Sequence, residues 1–303
     1  MAPQSYYIGG KIRAADFNEF IGDINDIVGI GSGDSGYGQD SYVISQLTSG
    51  TKIRASHWDD LLSAIHAAAD HQGSSVSIPV NTSDPSFPAA TRVIELLPTL
   101  VTDINTVKTN KLNYDVSNMT IETNKISSAK TYIDPISGTP NWTGTVYYEF
   151  SANFSDDNHR RHFFNLGGEI RISCDLVPSG ADAQSLDWDS LLSAVATVKL
   201  AVNTTTSSGS VGTPGDGFNG LTTTYELVYT KGGTGDYSGN QLNVYAKLNN
   251  TSGIDVKVSF DDIHAANVDQ DHVAGTLTVT VDQQRATGNF SKATPTYSHI
   301  SEL

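Results

Sequence analysis

Thr51-Lys52-Ile53-Arg54-Ala55 leads into Trp58-Asp59-Asp60-Leu61-Leu62, and this is the second statement of one phrase. Gly10-Lys11-Ile12-Arg13-Ala14 leads into Phe17-Asn18-Glu19-Phe20-Ile21, 41 residues earlier. The aligned positions keep their chemistry: Phe17 with Trp58, Phe20 with Leu61, Ile21 with Leu62, and Ile24 with Ile65. Apolar residues at i, i+3, i+4 and i+7 make each copy an amphipathic helix with an extended Lys-Ile-Arg-Ala lead-in. Two copies are fewer than a stacked repeat array needs, so the phrase is a duplicated building block. A two-helix unit is too small to bury both apolar stripes by itself. Trp58, Leu61, Leu62 and Ile65 are therefore a candidate assembly contact.

Beyond this unit, Gly73 to Pro88 is polar and holds Pro79, Pro85 and Pro88, which reads as a linker or an extended arm able to reach a neighbour. From Ala89 to about Lys111 the residues Val93, Leu96, Leu97, Leu100, Ile104 and Val107 recur at helical spacing, with Pro98 predicting a kink. After Gly144 the period changes to two. Val146, Tyr148, Phe150, Ala152 and Phe154 alternate with polar residues, as do Ile170, Ile172, Cys174 and Leu176. Val195 to Val202, Tyr225 to Tyr229, Leu242 to Leu248, Val256 to Phe260 and Leu277 to Val281 follow, separated by Gly- and Asn-rich turns. About seven such half-buried strands predict a two-layer antiparallel sandwich. One helix interrupts it, near Leu186 to Ala194. The expected class is α+β: a duplicated helical docking unit (1–75), a Pro-containing linker and helix (76–135), an antiparallel β-sandwich (136–290) and a C-terminal tail (291–303).

Composition narrows the function. The chain has 303 residues, with 33 acidic against 18 basic side chains, a net charge of −15. Phosphate binding needs Lys and Arg in excess, so nucleic acid is not an expected partner. No polybasic patch or long apolar run predicts membrane insertion. Cys174 is the only cysteine, which rules out an internal disulfide or a CxxC metal site. Met1 to Tyr7 lacks the pattern of a signal peptide, so folding in a cytoplasm is expected.

The polar clusters nominate no chemistry. Gly29 to Gln39 is Gly-rich, but no Gly-Lys-Ser/Thr follows, which predicts a surface connection and not a phosphate cradle. His159-Arg160-Arg161-His162 follows Asp156-Asp157; two arginines between the histidines would repel a metal ion, so the aspartates are expected to cap a short helix and pair with the arginines. Asp261, Asp262, Asp269 and Asp271 lack the calcium-loop pattern and read as a solvated loop. Cys174 falls on the apolar face of a strand, and no Gly-x-Ser-x-Gly occurs. Catalytic residues, cofactor-binding residues, metal ligands and cofactors are all expected to be none. Tyr147, Tyr225, Tyr229, Tyr237 and Tyr245 fit either a core or a sugar-stacking platform.

Arg161-His162-Phe163-Phe164-Asn165-Leu166-Gly167-Gly168-Glu169-Ile170-Arg171-Ile172-Ser173 resembles an R-H-F-F-N-x-G-G-x-I-R-x-S segment of virion structural proteins from contractile-tailed bacteriophages, including cyanophage relatives. Gly33 to Gln39 is similar to that family's G-D-x-G-Y-G-Q loop. Ile53 to Gly73, closing on His71-Gln72-Gly73, resembles its I-x-A-x-x-W-x-x-L…H-Q-G helix. Gly275 to Val279 and Arg285-Ala286-Thr287-Gly288 resemble its closing strand and turn. The resemblance implies a non-enzymatic particle component of the tail, baseplate, neck or fibre, located in the virion. Its partners would be other copies of itself in a symmetric homo-oligomer and other virion proteins. The alternative is a carbohydrate-binding adhesin that recognises host surface glycan. In the central motif, Phe163 and Phe164 are expected to plug the open end of the sandwich, with Gly167-Gly168 supplying positive φ.

Overall fold

The computed structural model describes residues 12–30, 35–89, 93–132, 142, 144–180, 182–249, 252–263, 273–292 and 294–303. The chain divides into two compact units, and neither is a single run of sequence. The helical unit takes Met1–Thr120, Arg161–Gly167 and Ala286–Lys292; the sheet unit takes Ile121–Arg160, Gly168–Arg285 and Ala293–Leu303.

In the helical unit, the duplicated phrase forms α1 (Ala14–Val28) and α2 (Ala55–Gln72). Both begin alike. The backbone N–H of Arg13 donates to Asp16 Oδ2 at 2.9 Å, and that of Arg54 donates to His57 Nδ1 at 3.1 Å. The residue three places into each helix thus turns back to hold the lead-in, half of a capping box. Phe17, Ile21, Ile24, Leu61, Leu62 and Ile65 are fully buried. A third helix, α3 (Leu97–Thr109), completes the core with Leu97, Leu100, Ile104 and Val107. Pro98 sits in its first turn, where a missing N–H costs nothing, so it starts this helix and does not kink a longer one; a 3-10 turn at Val93–Leu96 precedes it.

Residues 76–88 are no free arm. Ile78 is buried, and the backbone N–H groups of Ser77 and Ile78 donate to the buried Asp103 carboxylate at 2.7 and 2.8 Å. The segment after α1 is held in a related way. Asn25 exchanges two hydrogen bonds with the backbone of Ile44 (2.8 and 2.9 Å), and Asn18 does the same with Leu47 (2.8 and 2.7 Å). Two helical turns advance about 10.5 Å and three extended residues about 10 Å, so one helical stripe can grip a strand running back along it. The second copy repeats the device at the equivalent positions. Asp59 accepts from Thr82 N at 2.7 Å, and His66 Nε2 lies 3.1 and 3.2 Å from the carbonyls of Ile78 and Pro79. The duplicated block is therefore helix, turn and clamped return.

Among the described residues the sheet has eleven strands, antiparallel in every pairing described, in the order β1-β10-β3-β4-β5-β6-β7-β8-β9-β2-β11. These are β1 (Met119–Tyr132), β2 (Gly144–Asn153), β3 (Glu169–Pro178), β4 (Thr197–Leu200), β5 (Thr204–Ser207), β6 (Thr213–Asp216), β7 (Glu226–Gly232), β8 (Gln241–Leu248), β9 (Gly253–Asp262), β10 (Gly275–Ala286) and β11 (Thr296–Ser301). Period-two residues line the inner face in cross-strand rows: Phe150–Val256–Ala246, Tyr148–Val258–Val244, and Val281 opposite Ile172. Each fully buried Val, Ile or Phe among these contributes about 1.5–3 kcal/mol. The sheet bends round until its edges approach. Tyr297 of β11 bonds to Gln283 of β10 at 3.1 Å, and Leu303 N donates to Ser128 of β1 at 3.3 Å.

The expected strand count of about seven was low because β1, β5, β6 and β11 carry few large apolar residues. The interrupting helix α5 (Ala183–Val195) starts at Asp182, whose carboxylate accepts from Ser185 N at 2.8 Å, and buries Trp188, Leu191 and Leu192.

Candidate functional site

The four residues expected to form an assembly contact lie inside the helical unit. Trp58 is 5% exposed, and Leu61, Leu62 and Ile65 are 0% exposed. The expectation of an unburied stripe fails because the duplicated copy and α3 cover it. Trp58 meets its own counterpart Phe17 edge to face, ring centroids 5.0 Å apart, and Phe87 of the clamped return lies 6.1 Å away.

The polar clusters behave as structural groups. Asp156 accepts from His159 N at 2.8 Å and pairs with its ring, while Asp157 lies 3.1 Å from Arg160 at the start of α4 (Asp157–Asn165). The His159 N–H holds the Asp156 carboxyl down to about 2. His162 is buried further along the same helix. Asp261 and Asp262 point to opposite faces of β9, and Asp262 accepts from Gln184. Asp269 and Asp271, like Gly31, Gly33 and Lys11, fall outside the described residues. No group of three or more His, Cys, Asp or Glu side chains able to hold a metal occurs among the described residues. Burial pushes the Cys174 thiol up to about 12, which keeps it protonated and unreactive at neutral pH.

What the sequence separates, the helical unit gathers. Tyr37 stands at the centre of a joint built from four separate stretches of the sequence. Its hydroxyl donates to Lys111 O at 2.6 Å and accepts from Gln72 Nε2 at 2.8 Å. Its ring lies 5.2 Å from both His71 and Phe290. Beside it, Asn165 Nδ2 donates to Gly36 O at 2.9 Å, and Gln39 Nε2 bonds to Tyr37 O and Ser291 O, each at 3.1 Å. Thr287 N donates to Asn118 O at 2.8 Å, and Asn289 reaches Asp70 at 3.0 Å. Two glycines are required by geometry. Gly38 has φ +61° and Gly167 φ +78°, and a Cβ on either would run into a ring, His162 for the first and Tyr114 for the second. Phe163 and Phe164, buried and packed edge to face at 5.2 Å, fall in the stretch Arg161–Gly167 that goes with the helical unit.

Burial shapes the electrostatics of the joint. It pushes the Tyr37 phenol up, with the Gln72 hydrogen bond opposing. Burial also holds the His71 imidazole down to about 4 against the attraction of Asp70, and neither ring nitrogen of His71 has a hydrogen-bond partner. A neutral histidine wedged between rings is a packing element.

The sheet unit offers a different surface. On the outer face of β2, β9, β8 and β7, side chains form cross-strand rows: Glu149–Lys257–Tyr245–Leu227 and, beside it, Tyr147–Ser259–Asn243. Tyr147 is 41% and Leu227 48% exposed. Lys257 Nζ stands 4.4 Å from the Tyr147 ring centre, and Lys247 Nζ 4.5 Å from that of Tyr225. Asp261 accepts from Asn243 at 2.7 Å and from Ser259 at 2.6 Å. Tyr229, by contrast, is buried, with its hydroxyl on Val211 O, and Tyr237 sits in a 3-10 turn at Gly235–Tyr237.

Sequence reasoning missed the joint because nothing in a linear reading links Tyr37, His71, Asn165 and Phe290. The clamps did leave a signal: polar residues at i and i+7, Asn18/Asn25 and Asp59/His66, repeated at the same 41-residue offset. Comparison with protein-family models, with curated proteins and with solved structures gives no match for this chain. No helix among the described residues is long and apolar enough to cross a membrane.

Proposed function

We propose that this chain is a non-enzymatic structural component of a contractile-tailed phage virion, in the tail, baseplate, neck or fibre region. One observation carries the reading. The Tyr37 loop, the His71-Gln72 helix end, the Arg161–Gly167 run and the Ala286–Gly288 turn are the phrases similar to phage virion proteins, and they meet in a single packed joint. Their side chains are engaged in ring packing, backbone hydrogen bonds and close glycine approach. Residues so used make a rigid block, which is what a particle component needs under mechanical load.

Its partners in this reading are further copies of itself and neighbouring virion proteins, with repeated subunits meeting through repeated surfaces. The strong negative charge keeps free subunits soluble before they are built in. The sheet is read as a sandwich-like body that projects or bridges. Immunogold labelling of purified particles in negative stain tests the proposal. Labelled virions are expected, and virions that stay bare while the purified protein is recognised would overturn it. Sedimentation of the full-length protein tests the homo-oligomer: a monomer at high concentration would remove it.

A further inference from the structure

We propose that the outer face of β2, β9, β8 and β7 binds an uncharged glycan, with Tyr147, Tyr245 and Tyr225 as its stacking positions. The register places these tyrosines on a diagonal. Tyr147 and Tyr245 are two strands and one row apart, about 12 Å for strands spaced ~4.8 Å with ~6.7 Å per residue pair. Tyr225 continues the line just before β7, beyond Lys247. A row of rings, Tyr147 exposed and Tyr245 and Tyr225 partly so, with the exposed Leu227 beside Tyr245, suits the apolar faces of successive pyranose rings.

Polar groups beside the strip are already oriented. Thr230 donates to Asn243, Asn243 and Ser259 donate to Asp261, and Asn243 also contacts Gln241. Asn243 and Ser259 are buried and serve to hold Asp261, whose partly exposed carboxylate can meet sugar hydroxyls without first being ordered, which lowers the cost of binding. The charges select the glycan class. Lys257 lies 4.0 Å from Glu149 and Lys247 3.6 Å from Asp255, so each ammonium on the strip is matched by a carboxylate. Asp261 adds further negative character, and the chain as a whole carries −15. No surplus cation is present on these rows to hold an acidic polysaccharide or a phosphate, which leaves neutral sugars. The lysines also brace the platform: with Lys257 over one face of Tyr147, the exposed remainder of the ring is held in place for a ligand.

This inference is independent of the virion proposal, since a glycan-binding face can belong to a free adhesin or to a particle part. The test is a printed array of neutral and acidic bacterial-surface oligosaccharides probed with the full-length protein and three variants. The wild type is expected to bind one or more neutral glycans and no acidic one. Tyr147→Ala should weaken that binding tenfold or more, and the Tyr147→Ala/Tyr225→Ala/Tyr245→Ala triple variant should abolish it. Tyr147→Phe, which keeps the ring, should stay within about threefold. Tyr147→Ala, at a 41% exposed position, is the control should the triple variant fold poorly, as judged by thermal melting. Silence on every neutral glycan, retention of acidic glycans only, or full binding by Tyr147→Ala would each overturn the proposal.

Discussion

The two copies of the duplicated block share a plan and differ in the residues that carry it out. In the first copy, Asn18 and Asn25 clamp the return; each amide donates one bond and accepts another. In the second, the work is divided, with Asp59 only accepting and His66 placed against two carbonyls. The second helix also runs longer, 18 residues against 15, and its extra turn carries His71 and Gln72 into the joint around Tyr37. Duplication therefore supplied two matching halves that pack on each other, and divergence gave one half a second task. Contact between the equivalent residues Phe17 and Trp58 is what a self-complementary interface looks like when both halves lie on one chain.

The largest expected effect tests that shared contact. Trp58→Ala should cost about 3–5 kcal/mol, and Phe17→Ala a similar amount, because both rings are buried. If the copies support each other, the double variant should lose about 0.5–1.5 kcal/mol less than the sum. Denaturant unfolding of the four proteins measures this, and strict additivity would show that the rings are merely neighbours.

Next comes the extra turn of the second copy. His71 is neutral when folded, its imidazole held down to about 4 mainly by burial, whereas in the unfolded chain it titrates near 6.5. Below about pH 6.5 the unfolded state therefore gains a proton that the folded state refuses. Stability should fall as pH drops from about 6.5 to 4, by about 3 kcal/mol across that window. His71→Phe keeps a ring between Tyr37 and Phe290 and should flatten that part of the curve. A wild-type midpoint in urea that holds steady between pH 7 and 4.5 would contradict this.

How much of this was legible beforehand follows from the range of the interactions. The helices of both copies were readable because Phe17, Phe20 and Ile24, like Trp58, Leu61 and Ile65, fall on one stripe whatever lies opposite. What lies opposite is not readable, and from sequence alone the same residues read as an exposed contact. Strands with a buried face, such as Tyr148-Phe150-Ala152, declared themselves by alternation. Edge strand β1 did not, because an edge is rich in charged and small polar residues such as Glu122, Lys125 and Ser127. The outer tyrosines could be named as candidates, but the pairing of Tyr147 with Ser259 and of Tyr245 with Lys257 depends on strand register, which no local pattern encodes.

A smaller effect separates the two clamps. Asn25→Asp keeps an acceptor for Ile44 N but removes the donor to Ile44 O, whereas Asp59→Asn keeps the only bond Asp59 makes to its return. The first should cost about 1 kcal/mol and the second close to nothing. Amide exchange at Ile44 and Thr82 reports each return directly. Equal protection losses in the two variants would mean that the clamps are interchangeable.

The smallest effect concerns the contact of α3 with the first copy. Lys108 Nζ lies 2.6 Å from Asp23 Oδ1, with side chains 42% and 35% exposed. The position equivalent to Asp23 in the second copy is Ala64, which is 1% exposed. The equivalent positions therefore break the symmetry of the pair: one copy's lies at the rim against Lys108 of the third helix, and the other's lies inside the core. An ion pair at a rim is screened by solvent, so Lys108→Ala should change stability by less than about 0.5 kcal/mol. Ala64→Asp, the same residue type as Asp23 moved to the buried position, should instead cost several kcal/mol, because nothing there offers the carboxylate water or a partner in exchange. Unfolding midpoints for the two variants, measured at the same salt concentration, test the asymmetry. Similar losses would mean that the two equivalent positions are not different in kind.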